Sequence, residues 1–280
     1  MLQRLLSTLL LWATVLASLW YFGAHAAVWL ITLLSALTLH EFYALAGRMG
    51  HRPFRWLGLV FGALMTAGPF YLSQFLTDGE EIPDFASALL ALAVVFSCCR
   101  VLARRDAPGR AGAFAATVLG LVYVPFLLHY FTRVLLIYDD PNSGVVPCLW
   151  IVAVAKFCDI GALLTGLAIG RHPLAPNISP KKTWEGAVGG VLTSAAVGAT
   201  VAYFAADYLP ENLTPATAAL VAVPLAVIAI ISDLIESVLK RHADLKDTGA
   251  LIPGIGGAFD LTDSLILTAP AGYCVFLFLS

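Results

Sequence analysis

The stretch Leu-Val-Ala-Val-Pro-Leu-Ala-Val-Ile-Ala-Ile-Ile, residues 220–231, contains no charged or hydrogen-bonding side chain. It forms the middle of an apolar run, residues 216–239, and about 20 such residues are enough to cross the hydrocarbon layer of a membrane as a helix. Asp233 and Glu236 interrupt the run near its end. Because a charge in hydrocarbon costs at least about 2.5 kcal/mol, ionisable residues in such a run are candidates for function.

The rest of the chain has the same character. Of its 280 residues, 60% are hydrophobic and 12% are charged, with a mean hydropathy of +0.86. Soluble domains carry roughly 25% charged residues, so the composition excludes a soluble enzyme, a disordered protein and a nucleic-acid-binding domain. Eight further apolar runs of comparable length are residues 5–22, 27–47, 57–76, 85–102, 112–137, 145–170, 187–206 and 261–279. The sequence therefore predicts an all-α, polytopic membrane protein of about nine transmembrane helices.

No repeat or long linker divides the chain. We expect a single membrane domain over residues 1–280, in which helices of about 1–140 are a scaffold and about 145–280 carry the chemistry. The first run resembles a signal peptide, but its length and the spans that follow favour a retained helix.

Charges in the loops predict the orientation. One set of loops is basic and contains Arg48, Arg52 and Arg55, then Arg100, Arg104, Arg105 and Arg110, then Arg171, Lys181 and Lys182, then Lys240, Arg241 and Lys246. The intervening loops are acidic and contain Asp78, Glu80, Glu81 and Asp84, then Asp139 and Asp140, then Asp207 and Glu211. Because basic loops stay in the cytoplasm, we expect a cytoplasmic N-terminus, an outside C-terminus at Ser280, and an integral protein of a bacterial inner (plasma) membrane.

Two polar segments precede the strongest signal. Lys156 and Asp159 lie three apart on one predicted helical face, as an internal ion pair or as groups of a polar cavity. The loop Ser179-Pro180-Lys181-Lys182-Thr183 stands before a predicted helix. Hydroxyls, paired lysines and helix N-terminal amides suit phosphate, although an ordinary positive-inside loop would look similar.

The densest polar stretch begins at Asp233. This residue, Glu236 and Lys240 share one predicted helical face, and a glycine turn with Gly256 and Gly257 then precedes two further carboxylates, Asp260 and Asp263. Carboxylates without His or Cys favour a hard cation, Mg²⁺ first, and glycines let a backbone approach phosphate closely. Acidic metal ligands beside cations are the components of phosphoryl-type transfer; salt-bridged loop charges without catalysis are the alternative.

These motifs resemble those of the phosphatidate cytidylyltransferase (CDP-diacylglycerol synthase) family. The resemblance rests on Ser179-Pro180-Lys181-Lys182-Thr183-Trp184-Glu185-Gly186, on Ser237 with Lys240-Arg241 and Lys246-Asp247, and on Pro253-Gly254, Gly256-Gly257, Asp260 and Asp263. Weaker similarity extends to Glu41-Phe42-Tyr43, Gly120–Pro125 and Asp159. The match spans nearly the whole chain and is specific after about Asp159.

The resemblance implies that CTP and phosphatidate give CDP-diacylglycerol and pyrophosphate, with Mg²⁺ required, in phospholipid biosynthesis. It implies Asp233 and Asp260 as the leading metal ligands, with Asp263 as a helper. The other implied site residues are Lys240, Arg241, Lys246 and Asp247 as catalytic, and Ser179, Lys181, Lys182, Thr183, Ser237, Gly256 and Gly257 as substrate-binding. We expect CTP, phosphatidate and membrane lipids as partners, no nucleic acid, and a homodimer as one option.

The chain departs from the family pattern at three positions. Ile255 stands where the family usually has His, Leu261 where it has Arg, and Ser232 where Gly commonly precedes the aspartate. The missing imidazole and guanidinium remove two charge-assisted donors, each worth roughly 1.5–3 kcal/mol when well placed. A catalytically weakened paralogue that acts in lipid or nucleotide binding or in assembly therefore stays open. A transporter is the third alternative, because Lys156, Asp159, Asp233 and Glu236 lie at membrane depth.

Overall fold

The computed structural model describes residues 2–75, 84–103, 109–245, 248–249 and 256–279, except for the side chains of residues 2–9 and 11. Lys246, Asp247 and Ile255 lie outside the described residues. The chain is helical almost throughout, which confirms the all-α membrane fold. The α-helices are α1 (Leu2–Arg48), α2 (Arg55–Ser73), α3 (Phe85–Ala103), α4 (Arg110–Leu121), α5 (Leu127–Leu135), α6 (Val145–Ile169), α7 (Trp184–Phe204), α8 (Pro215–His242), α9 (Ala258–Thr262) and α10 (Leu265–Leu279).

Short elements complete the fold. A π-helical turn, Val122–Phe126, joins α4 to α5 and contains Pro125, whose missing N–H and ring are incompatible with a regular helix interior. Two 3₁₀ turns precede α6 and follow α7. The strands β1 (Pro173–Ala175) and β2 (Ser179–Thr183) pair antiparallel, with Pro173 opposite Thr183 and Ala175 opposite Ser179.

Within the described residues, eight helices are long and apolar enough to span a membrane, close to the nine predicted. The two counts differ at α1, which contains both of the first two predicted runs. Gly23 breaks α1 with a φ of 54° and a ψ of −132°. Positive φ is accessible to glycine without a steric penalty, so the break falls between the two predicted runs.

The chain divides into two compact units. The first contains residues 1–133 and 242–262. In it the hydroxyl of Tyr43 on α1 donates to the carbonyl of Thr117 on α4 at 3.0 Å, and the hydroxyl of Thr132 donates to the carbonyl of Thr66 at 2.8 Å. Such interhelical hydrogen bonds stabilise helix packing where no water competes.

The second unit contains residues 134–241 and 263–280. Its main helix pair is α6 and α7, which approach closely because glycines face threonines across the contact, Gly161 against Thr193 and Gly189 against Thr165. The hydroxyl of Ser194 donates to the carbonyl of Val154 at 2.7 Å. Small residues at the contact are the usual means of close helix packing in membranes.

Candidate functional site

Three carboxylates of the second unit converge. One carboxylate oxygen each from Asp233, Glu236 and Asp263 lies within 4.8 Å of the other two. Asp233 and Glu236 are three positions apart on α8, as the sequence predicts, and Asp263 lies in the turn before α10. The Glu236 side chain is only 1% exposed. Like charges at this distance and depth need compensating cations.

A lysine compensates each of the three carboxylates. Lys182 of β2 pairs with Asp233, Lys240 pairs with Glu236 at 2.8 Å one turn along α8, and Lys156 of α6 pairs with Asp263 at 3.0 Å. The three ammonium groups come from three elements, so the charge balance depends on the assembled unit. The charges are therefore not those of an ordinary solvated helix face.

Lys156 also approaches a fourth carboxylate, Asp159, at 3.5 Å. Asp159 accepts a hydrogen bond from the hydroxyl of Ser264 at 2.9 Å, and the hydroxyl of Ser232 donates to the backbone carbonyl of Asp263. The structure thus shows the ion pair of Lys156 and Asp159 within α6, and Lys156 also pairs with Asp263. A polar cavity at Asp159 stays a prediction. We call Lys156, Asp159, Lys182, Asp233, Glu236, Lys240 and Asp263 the acid–lysine cluster.

The acid–lysine cluster suits a divalent cation. Its converging donors are all carboxylate oxygens, the ligands that Mg²⁺ prefers. Mg²⁺–oxygen distances of about 2.0–2.1 Å put opposite ligands about 4 Å apart, so oxygens within 4.8 Å of one another need only a small movement to share an ion. The donor set therefore fits the expected metal.

A second group of polar contacts lies in the first unit. Glu41 of α1 accepts hydrogen bonds from the backbone N–H groups of Ala258 at 3.0 Å and Phe259 at 2.9 Å, and from the hydroxyl of Thr248 at 3.1 Å. Asp260 accepts from the N–H of Gly257 at 2.8 Å and from Thr248, through its N–H at 3.4 Å and its hydroxyl at 3.1 Å. We call Glu41, Thr248, Gly257, Ala258, Phe259 and Asp260 the turn cluster.

Positions 256 and 257 of this turn require glycine for different structural reasons. Gly256 has a φ of 118°, a backbone conformation that residues with a Cβ rarely adopt. A Cβ on Gly257 would lie 2.7 Å from both the Oε1 of Glu41 and the Oγ1 of Thr248. The turn thus brings backbone N–H groups onto two carboxylates, which a larger residue at position 257 would prevent.

The β-hairpin holds the predicted phosphate loop. The hydroxyl of Thr183 accepts from the N–H of Gly186 at 3.1 Å and caps α7, while Ser179 is half-exposed and Lys181 exposed. The guanidinium of Arg241 donates to the carbonyl of Ile178 at 3.3 Å. Of the predicted lysine pair, Lys182 is therefore held in the acid–lysine cluster, and Lys181 faces outward.

Comparison with known proteins identifies the family of the chain. The model of the cytidylyltransferase family matches residues 2–279. The chain belongs to the cytidylyltransferase family. A phosphatidate cytidylyltransferase of Synechocystis is 31% identical over 278 residues, which cover 91% of this chain and 87% of that protein. One of Thermotoga maritima is 34% identical over 198 residues, 70% of each chain.

A relative of the same printed name from Mycobacterium bovis is 36% identical over 161 residues, 58% of this chain. The chain spans about half the length of the mycobacterial relatives that it matches. Family membership thus confirms the resemblance that the motifs indicate.

In this cytidylyltransferase family member, the predicted site residues fall in both units. Asp233, Asp263, Lys182 and Lys240 meet in the acid–lysine cluster, whereas Asp260 lies in the turn cluster with Gly257. Ser237 is half-buried and Arg241 exposed on α8. The assignments of Asp260 to metal and of the glycines to substrate stay predictions, as do the roles of Lys246 and Asp247.

Four ionisable residues join the clusters that the predicted site did not include: Lys156, Asp159, Glu236 and Glu41. Each carries an ionisable group inside a predicted span, and this property alone marks a residue as a candidate for function. The sequence does not show which residue each of these groups contacts. Lys156 and Asp263 are 107 residues apart, and Glu41 and Ala258 are 217 apart.

Proposed function

We propose that the protein transfers a cytidylyl group from CTP to phosphatidate, giving CDP-diacylglycerol and pyrophosphate. The observation that carries the proposal is the family match along residues 2–279, with relatives whose printed name is phosphatidate cytidylyltransferase. The acid–lysine cluster supports it, since it supplies carboxylates for a metal and cations for phosphates in one place. Phosphatidate is a lipid, and a chain of membrane-spanning helices suits such a substrate.

In the proposed reaction a phosphate oxygen of phosphatidate attacks the α-phosphorus of CTP. The new bond is phosphorus–oxygen, and the bond from the α-phosphorus to the oxygen that bridges to the β-phosphate breaks, so that pyrophosphate leaves with the bonding electrons. Negative charge grows on the leaving oxygens. Catalysis of this kind is mainly positioning and electrostatic stabilisation.

In the proposed reaction, the lysines of the acid–lysine cluster can pair with either carboxylates or phosphates. In the structure Lys156, Lys182 and Lys240 each neutralise a carboxylate. We propose that Asp233, Glu236 and Asp263 would hold a divalent cation, Mg²⁺ first, and that this ion would supply positive charge against the phosphates. The same lysines can then turn to the phosphates, because an ammonium on a four-carbon stem reorients easily.

Orientation and assembly belong to the proposal as well. The basic loops favour a cytoplasmic site and a C-terminus outside, and reporter fusions that place residues 77–84 and 240–247 on the same side would contradict this. A homodimer is a further expectation, and the mass of the protein–detergent particle from light scattering would show it or a monomer.

The decisive assay uses purified protein in neutral detergent with phosphatidate, CTP labelled at the α-phosphate, and Mg²⁺. We expect a labelled lipid product and an equal amount of pyrophosphate, both lost when diacylglycerol, which lacks the attacking phosphate, replaces phosphatidate. CTP binding without any product would instead support the binding or assembly alternative suggested by Ile255 and Leu261. Neither binding nor product would contradict both.

A further inference from the structure

A basic cavity lies in the first unit, between the end of α1 and the start of α2. Its volume is about 460 Å³, and its lining includes Arg48, His51, Arg52 and Arg55. The lining that the structure describes contains no carboxylate. The cavity concentrates positive charge in a concave space, which a flat positive-inside loop does not do.

The arginines of this cavity are not engaged elsewhere. Through their guanidinium groups, Arg48, Arg52 and Arg55 form no ion pair with any residue that the structure describes. This contrasts with Lys156, Lys182 and Lys240, each of which has a carboxylate partner. Three guanidinium forks around one space are suited to phosphate, because each fork can donate two parallel hydrogen bonds to an anion.

Neighbouring helices give the cavity its shape. The Nη2 of Arg55 packs against α1 at Gly47, where a Cβ would lie only 3.3 Å away. The ring of His51 packs against Gly112 of α4, where a Cβ would lie 2.6 Å from its Nδ1. Two of the basic side chains are therefore placed by glycines on adjacent helices.

The surroundings favour a lipid over a nucleotide. The cavity lies at the ends of two membrane-spanning helices, and Trp56, beside Arg55, is 82% exposed, as expected for an interfacial anchor. The described lining contains no aromatic ring of Phe, Tyr or Trp on which a base could stack. Basic pockets between transmembrane helices on the cytoplasmic side are typical sites for anionic headgroups.

We propose that this cavity, whose described lining includes no residue of either carboxylate cluster, binds the phosphate of an anionic phospholipid headgroup. The inference does not depend on the proposed enzymatic function, since the cavity can hold a lipid whether or not the chain catalyses a reaction. The ligand chemistry is a phosphate, which a free nucleotide or inorganic phosphate also offers. The experiment therefore has to separate these sources.

The test is native mass spectrometry of the full chain in neutral detergent, with equal amounts of phosphatidylglycerol and phosphatidylcholine that carry the same acyl chains. We expect the protein to retain the anionic lipid at least about tenfold over the zwitterionic one. Substituting Arg48→Gln, Arg52→Gln and Arg55→Gln together should remove this preference. The matched triple Arg104→Gln, Arg105→Gln and Arg110→Gln, with the same charge change in the next basic loop, should keep it.

Three outcomes would overturn the proposal. Equal loss in both triples would indicate general attraction of lipid to basic loops, and displacement of the lipid by millimolar CTP or inorganic phosphate would assign the cavity to a soluble phosphate. If the glutamine triple does not fold, Arg48→Lys, Arg52→Lys and Arg55→Lys keep the loop charge and should still weaken the preference at least about threefold, because lysine lacks the fork. An unchanged preference in the lysine triple would contradict a fitted site.

Discussion

The two carboxylate clusters differ in what satisfies their charge. In the turn cluster, Glu41 and Asp260 accept hydrogen bonds from backbone N–H groups and from the Thr248 hydroxyl. In the acid–lysine cluster, the carboxylates face ammonium groups. Backbone donors are fixed by the fold, whereas lysine side chains can change partner. The comparison teaches that similar acidic residues are held by donors of the backbone and a threonine in one unit and by lysine side chains in the other.

The net charge of the acid–lysine cluster is a second difference between the two clusters. Among the residues that the structure describes, four carboxylates face three lysines, so these seven side chains carry an excess of negative charge. The carboxylates are those of Asp159, Asp233, Glu236 and Asp263. A divalent cation would reverse the sign, and the phosphates of CTP would then be attracted. The contacts described for the turn cluster are instead hydrogen bonds from backbone N–H groups and from the Thr248 hydroxyl.

The largest effect is expected at Asp233. Asp233→Asn keeps the shape and an acceptor for Lys182 but removes a metal-binding charge, and turnover should fall by about 100-fold to 1,000-fold. The measurement is kcat for labelled CDP-lipid at saturating Mg²⁺, alongside the melting temperature in detergent. Asp207→Asn, an exposed aspartate after α7, is the matched control and should be unchanged. A near-normal kcat for Asp233→Asn would show that the acid–lysine cluster is not the reactive one.

A smaller loss of turnover is expected when Asp260 is changed. Asp260→Asn still accepts from Gly257 and Thr248, so the turn is kept while the charge is lost, and kcat should fall by about tenfold or more if this carboxylate also serves the metal. Thr248→Val removes the hydroxyl that contacts Glu41 and Asp260 without changing any charge, and its kcat should stay within about threefold. Equal losses in the two variants would assign Asp260 to support of the turn alone.

The smallest effect on turnover is expected at Glu41. Glu41→Gln retains one acceptor oxygen for the three donors at α9 and Thr248. We therefore expect the free energy of unfolding to fall by about 1–2 kcal/mol, with little change in the KM for CTP. Thermal unfolding in detergent, compared with Glu211→Gln on an acidic loop, measures the loss. A stability equal to that of Glu211→Gln would mean that the turn does not depend on this carboxylate.

The sequence predicts the spans well because hydropathy depends only on which residues are consecutive. It also predicts that Asp233 and Glu236 share a face, since both lie within one regular helix. It does not predict that Asp260 and Asp263 make their described contacts in different units. A turn at residues 263–264 ends α9 and precedes α10, so two carboxylates three positions apart belong to different units. Likewise, Asp233 and Asp263 are paired with lysines of β2 and α6, and no local pattern encodes these two pairings. The pair of Lys240 with Glu236 is different, because both residues lie one turn apart on α8.

The most direct test of the difference between the clusters is Mn²⁺ binding, followed by electron paramagnetic resonance on purified protein without nucleotide. The wild-type chain should bind Mn²⁺, Asp233→Asn and Asp263→Asn should each weaken binding at least about tenfold, and Glu41→Gln should bind as the wild type does. Loss of binding in Glu41→Gln with full binding in both aspartate variants would contradict the assignment of the exchangeable site to the acid–lysine cluster.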